Sequence, residues 1–297
     1  MTSISAVIPV RDGADFVADA IRSVLDQTAP PLECLVIDDG STDATPEVVR
    51  SFGTQVAYVC QSHGGVSAAR NHGARRARGE LVAFLDHDDV WLPTKLERQV
   101  EALAERPGAV MGLCAVEVVD AGGRMIGSKR LRPRTDLLTG MMTFDGTETV
   151  SSSSTGLARR DWLLASGGFD PELSMSADWD LLLRAALDGG VAYVDEPLVR
   201  YRVHDSNMSR NVGMMEHDMR RAFAKAFADS RLPVSLRANR RRAYGRLYRM
   251  LAGSYRDTGD RLAMARAILL AIGHDPALAL EPAARLRRLA IQSYNRR

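Results

Sequence analysis

Short apolar runs alternate with amphipathic stretches through the first 120 residues. Residues 4–10 form a strand-type run that includes Pro9. Phe16, Ala20, Ile21, Val24 and Leu25 then recur at helical spacing, and Pro30-Pro31 stops that helix. Residues 32–37 read as a second strand and 56–60 as a third, with Thr45-Pro46 between them as an N-cap followed by proline at the first helical position. Residues 66–78 read as helix, 81–85 as a fourth strand, 93–105 as helix and 109–119 as a fifth strand before the Gly122-Gly123 turn. This alternation predicts βαβ units and a mostly parallel, doubly wound sheet, with ligands bound outside the carboxyl ends of the strands.

The pattern weakens over residues 124–160, which carry a basic stretch (Lys129, Arg130, Arg132, Arg134) and a serine run at 151–154. A short helix at 162–165, a Gly167-Gly168 loop, a helix over 178–187 and β runs up to Val203 follow. Beyond Met214 the chain reads as helical almost throughout. A boundary near 205–213 gives two domains, 1–210 and 211–297.

Composition excludes wholesale disorder, since apolar residues are 45% and charged residues 26% of the 297. Cys34, Cys60 and Cys114 are too few and scattered for a disulfide framework, and their apolar surroundings predict buried thiols in a reducing cytosol. The start lacks a basic segment and a long apolar run, so no signal peptide is expected. The best candidate for a membrane span, 262–272, is short and broken by Arg266. The expected location is cytoplasmic, with the inner face of a membrane as a second candidate. The formal charge of +2 conceals an asymmetry: residues 231–297 hold fifteen Arg and four acids, a net +11, and residues 1–230 carry −9. Such a basic tail points to an anionic partner, a membrane surface or a docking segment.

Five constellations carry candidate chemistry, each with a plainer structural reading. Asp38-Asp39-Gly40-Ser41 at a strand end could bind a base or ribose, or merely cap a βα turn. Asp86-His87-Asp88-Asp89 places three acids within four residues, which calls for a cation; a divalent ion shared with a diphosphate fits Mg²⁺ or Mn²⁺, and a solvated acidic loop is the alternative. Asp178-Trp179-Asp180 at a helix start could supply a general base or simply complement the helix dipole. His204 at a strand end could meet metal or phosphate, or be structural. Arg70, among small neighbours, could reach a nucleotide, whereas Arg75, Arg76 and Arg78 read as a solvated helix face.

Taken together, VIPVRDGADFVADAIRSVLDQT, LVIDDGSTDAT, GGVSAARNHGARRARGELVAFLDHDDVWLPTKLE, GGFDPEL, ADWDLLLR and YRVHDSNMS resemble, in order, the blocks of family 2 inverting glycosyltransferases with the GT-A fold. The resemblance covers residues 4–210 and implies a Rossmann-like, doubly wound mixed sheet followed by a helical C-terminal region. It implies that Pro9 and Arg11 line a base pocket, with Asp39 on the base and Arg70 nearby; the family often has an aromatic residue at the place of Arg11. It implies further that Asp86 lies near ribose and metal, that Asp88 holds the metal that bridges the diphosphate, and that His87 belongs with the substrate-binding residues. His204 matches a position that contributes to metal or phosphate binding. Asp178 matches the catalytic base, although the preceding Glu usual in the family is here Ala177. The implied reaction moves a sugar from a nucleotide-diphosphate donor, a UDP-sugar above others, to a hydroxyl of a glycan or lipid-linked acceptor, with Mn²⁺ or Mg²⁺ as cofactor. A catalytically weak or inactive nucleotide-sugar-binding scaffold is the competing reading.

Residues 238–273 show helical spacing with a break at Gly259, loosely similar to one tetratricopeptide-type unit. One unit buries its own face poorly, so it should pack on the catalytic body, on a second copy in a homodimer, or on a membrane. The tail is then either a helical extension with its Arg residues solvated or a peripheral contact with anionic lipid. Nucleic acid is not expected as a partner, because no recognition motif accompanies the charge.

Overall fold

The run ISAVIPV is buried along its whole length as strand β1 (Ile4–Val10), and its place between two parallel neighbours explains that composition. The computed structural model describes residues 2–131, 136–144, 152–204, 207 and 211–280. β2 (Glu33–Asp38) pairs with one side of β1 and β4 (Leu81–Phe84) with the other. The β4 ladder ends at Val7 opposite Phe84, so Pro9 lies past it and its missing N–H leaves no gap there. β3 (Ala57–Cys60) adds in parallel to β2 at the sheet edge.

Beyond β4 the sheet changes direction. β8 (Leu157–Arg159) runs antiparallel between β4 and β6 (Met111–Asp120), and β9 (Val191–Val203) is parallel to β6. β5 (Val90–Trp91) and β7 (Met125–Lys129) are antiparallel to β9 and β6 respectively. Among the described residues the order is β3-β2-β1-β4-β8-β6-β9-β5, with β7 on β6. The sheet is therefore parallel only in the half built by the first 85 residues and mixed thereafter.

Helices α1 (Val17–Leu25), α2 (Thr45–Arg50), α3 (Val66–Arg76) and α4 (Lys95–Glu105) follow the expected positions within a few residues, as do α6 (Arg160–Ala165) and α7 (Ala177–Asp188). The α2 cap differs from expectation: Ala44 is the N-cap residue, and the Thr45 hydroxyl instead accepts the Gly13 N–H (2.9 Å) and donates to Asp43 (2.5 Å). α3 lies close on the sheet, since a Cβ on Gly73 would stand 2.3 Å from Val7 Cγ1. Cys34 and Cys114 are buried as expected, but Cys60 is exposed. It ends β3, which among the described residues is an edge strand with no β neighbour beyond it to cover its residues.

The chain divides into two compact units, Met1–Leu131 with Val150–His204, and Arg132–Thr149 with Asp205–Arg297. The first contains the whole sheet. The second contains α5 (Leu137–Thr143), α8 (Val212–Ala228), α9 (Val234–Ala238), α10 (Arg240–Thr258) and α11 (Arg261–His274). The expected division at 210/211 places residues 132–149 with the sheet. Here α5 packs on α10, and Phe144 stacks on Phe223 at 5.9 Å, which is why that segment groups with the C-terminal helices. α10 and α11 form the expected hairpin. Gly259 takes the left-handed conformation (φ +82°) that ends α10, and the Asp260 carboxylate accepts the Ala263 N–H to cap α11. Not every arginine of this region is solvated, because Arg249 is buried.

Candidate active site

The candidate residues gather where the parallel strands end. Asp38 is spent on structure: its carboxylate accepts the Ser41 N–H (2.7 Å) and the Tyr58 hydroxyl (2.6 Å). Asp39, buried next to it, accepts Gln61 Nε2 (2.7 Å), His63 Nδ1, Gly64 N–H and Gly65 N–H (each 2.8 Å). Burial alone would raise this carboxyl, but these hydrogen bonds outweigh it and hold the group below its ordinary value. Gly40 makes the turn possible with φ +80°, and a Cβ there would press on the His63 backbone nitrogen at 3.3 Å. Arg11 is exposed and meets His63 Nε2 at 2.6 Å, while Pro9 is buried opposite Ile37.

The acidic loop after β4 is braced from three directions. Asp86 pairs with Arg70 at 2.6 Å and donates its N–H to Ser154 Oγ at 3.1 Å. Ser154 Oγ donates in turn to Asp89 Oδ2 (2.6 Å), and Asp89 Oδ1 accepts the Arg202 N–H (2.9 Å). Asp89 is fully buried in that frame; burial, and then the charges of Asp88 and Asp86, push its carboxyl well above its ordinary value. Asp88 instead faces His204, with Oδ2 3.0 Å from Nε2. Burial would raise Asp88, but the His204 hydrogen bond and the nearby His87 hold it below its ordinary value. His204 stacks on Phe16 at 4.9 Å. His87 lies against Gly13, where a Cβ would come within 2.3 Å of its ring.

Of the three expected metal ligands, two therefore converge and the third is engaged by Arg70. Among the described residues no group of three His, Cys, Asp or Glu side chains is assembled for a metal. One carboxylate and one imidazole at 3.0 Å still fit a divalent ion whose remaining ligands come from a diphosphate and water.

Arg70 joins this loop to the third constellation. It projects from α3, is buried, and lies over Phe169 at 5.2 Å. Its Nε has no hydrogen-bond partner among the described residues. The glycine loop before α7 is fixed by Asn71, which donates to Phe169 O (2.7 Å) and accepts the Phe169 N–H (2.8 Å). A Cβ on Gly168 would strike that Asn71 amide at 2.3 Å. Asp180 is structural, ion-paired with Arg184 at 2.9 Å. Asp178 is different: it opens α7 and lines a small cavity with Phe84, Leu113, Ser153 and Phe169, among others. Burial pushes its carboxyl up to about 7, against the pull of Arg70 and of the Trp179 N–H.

Gln61, His63, Ser154 and Arg202 were not among the expected site residues. Arg202 lies inside the YRVH block, and Ser154 ends the serine run, so each carried a faint signal in the sequence. His63 carried none.

The sheet and its strand-end site define a GT-A glycosyltransferase fold. The chain superposes on S. aureus TarS in complex with UDP-GlcNAc with a TM-score of 0.67, at 18% identity over 97% of this chain and 84% of that one. It superposes on mannosyltransferase PcManGT from Pyrobaculum calidifontis, in complex with GDP-Man and Mn²⁺, with a TM-score of 0.62, at 21% identity over 96% and 77% of the two chains. The profile of glycosyl transferase family 2 matches residues 5–165, more than half of the chain, and the chain belongs to that family. An uncharacterized glycosyltransferase of Rickettsia typhi is 29% identical over 209 residues, which are 68% of this chain and 64% of that relative's length.

Proposed function

We propose that the chain transfers a sugar, with inversion, from a nucleoside-diphosphate donor to a hydroxyl of a glycan or lipid-linked acceptor, with a UDP-sugar as the donor. The reading is carried by one observation: the half-buried Asp178 carboxyl, in the first turn of α7, lines a small and mostly apolar cavity next to the Arg70 that holds Asp86, and desolvation there pushes it up to about 7. An acceptor hydroxyl is a poor nucleophile at neutral pH. A base with a pKa near the working pH removes its proton as the new bond forms. Asp178 takes that role from the lining of a mostly apolar cavity. Arg70 keeps its positive charge between Asp178 and Asp86, so it orients the acidic loop and favours the ionised base. Asp88 and His204 are the residues that would hold a divalent ion. When bound, such an ion offsets the charge that builds on the leaving diphosphate. Pro9, Arg11 and Asp39 are the proposed base-pocket residues, with His87 as a further donor-binding residue on the acidic loop.

Asp178→Asn tests the assignment. Transfer should fall by about 10²–10⁴-fold, the usual worth of a general base, with binding of the nucleotide sugar retained. Loss of donor binding in parallel with activity would remove Asp178 from the base role. A thermal-shift panel of UDP-, GDP- and other nucleotide sugars, with and without Mn²⁺, identifies the donor through its stabilisation of the native state.

The partner proposed for the C-terminal unit is an anionic membrane surface. Residues 231–297 carry +11, and α11 exposes Leu262 (87%) and Leu269 (72%) on one face. Among the described residues no helix is long and apolar enough to cross a membrane, so the contact proposed is peripheral.

A further inference from the structure

The carboxylate of Asp39 has two oxygens, and each already accepts two hydrogen bonds. An ionised carboxylate offers about four such positions, so the group is saturated. Three of its four donors are fixed. Gly64 and Gly65 donate through backbone, and Gly65 is locked as the residue that caps α3. Gln61 is held at its other end, where its Oε1 meets His72 Nδ1 at 2.6 Å, and its own N–H donates to Asp38 O. The fourth donor, His63, projects from the loop with 53% of its side chain exposed.

The partners of His63 define its state. Asp39 can only accept, so Nδ1 carries the proton; Arg11 can only donate, so Nε2 accepts from it. Arg11, His63 and Asp39 thus form a directed chain of donors from the exposed rim to the buried carboxylate.

We infer that His63 occupies the place of the nucleotide base on Asp39, and that donor binding displaces it; the inference rests on the reading of Asp39 as the base contact. What replaces an N–H on Asp39 must itself be an N–H. Uracil presents its ring imide N–H, and guanine presents a lactam N–H with an amino group beside it. Cytosine and adenine present a ring nitrogen lone pair at the equivalent edge, which a carboxylate repels. The site therefore selects lactam-bearing bases, and His63 sets the threshold by competing for the same oxygen. Once displaced, the flat Arg11 and His63 groups remain at the rim, where the aromatic residue usual at position 11 is absent.

The test is calorimetric titration of the full-length protein and three variants with UDP, GDP and CDP. Removing the competing donor in His63→Ala should tighten UDP binding by about 3- to 10-fold, within the worth of a hydrogen bond to a charged group, and leave CDP weak. His63→Gln, which keeps an N–H donor, should bind UDP as the unaltered protein does. Asp39→Ala should lose the preference for UDP over CDP. Unchanged or weaker UDP binding by His63→Ala, with the Asp39→Ala loss intact, overturns the displacement and leaves the base reading standing. Undiminished UDP preference in Asp39→Ala overturns the base reading itself, and the displacement with it.

Discussion

The fate of each acid in this site follows from what surrounds it. Four carboxylates within three motif blocks have four different roles. Asp38 bonds its own turn, Asp89 braces a loop, Asp86 neutralises Arg70, and Asp178 is left in an apolar cavity. The last has a measurable stability consequence. An acid with a folded pKa of about 7, against an ordinary value of 3.8, favours the native state below pH 4 and loses that contribution as pH rises to 7. Asp178→Asn removes the ionisation, so it should match the unaltered protein in denaturation midpoint at pH 4. Above pH 7 it should exceed it, by roughly 1–3 kcal/mol once partial solvent access is allowed for. An equal difference at both pH values would mean that the Asp178 carboxyl is not raised in the folded protein. Transfer should run in the opposite sense, rising across pH 7 as the carboxyl ionises and becomes competent as a base.

At the scale of elements, α3 is the piece on which the site turns. It carries Ser67, Arg70 and Asn71, which reach Leu173 O, Asp86 and the Phe169 backbone. Its close seat on β1 depends on Gly73, whose missing Cβ would stand 2.3 Å from Val7 Cγ1 and 3.2 Å from Ile37 Cγ1. Two effects of Gly73→Ala oppose each other. Helix propensity gains about 1 kcal/mol, and overpacking a buried site costs about 1–3 kcal/mol. Val7 and Ile37 are fully buried branched side chains on paired strands, so the clash cannot relax cheaply and overpacking wins. Urea denaturation should show a net loss of about 1–2 kcal/mol, with a fall in transfer activity as Arg70 moves off Asp86. A more stable Gly73→Ala protein would mean that α3 sits farther from the sheet than described.

Across the whole molecule the charge is divided as the chain is divided. The +11 falls on the last 67 residues, and the acids of the candidate site fall on the unit that holds the sheet. α11 is apolar around most of its circumference, burying Ala267 and Ala271 while exposing Leu262 and Leu269. Full-length protein should co-sediment with vesicles containing anionic lipid at low salt and be released at high salt. Leu262→Glu with Leu269→Glu should weaken that binding without changing the fold of either unit. Equal sedimentation with neutral and anionic vesicles would show that charge plays no part.

Most strands and helices of the first 120 residues were legible in the chain, because apolar periodicity and proline or glycine punctuation act locally, whereas β5, β7, α5 and β8 were not, being short and without a clear period. The sequence by itself also singled out Asp39, Asp86, Asp88, Asp178 and His204, whose blocks lie at strand or helix ends. It did not determine which partner each would meet. The Asp88–His204 pair spans 116 residues, Asp89–Ser154 spans 65 and Asp39–His63 spans 24 across a crossover. The exposure of Cys60 and the grouping of residues 132–149 with the C-terminal helices were likewise settled by neighbours distant in sequence. Local chemistry writes strands, turns and motifs into the chain. Whether a carboxylate becomes a brace, a salt bridge or a base depends on burial and on which donors the folded sheet brings within 3 Å.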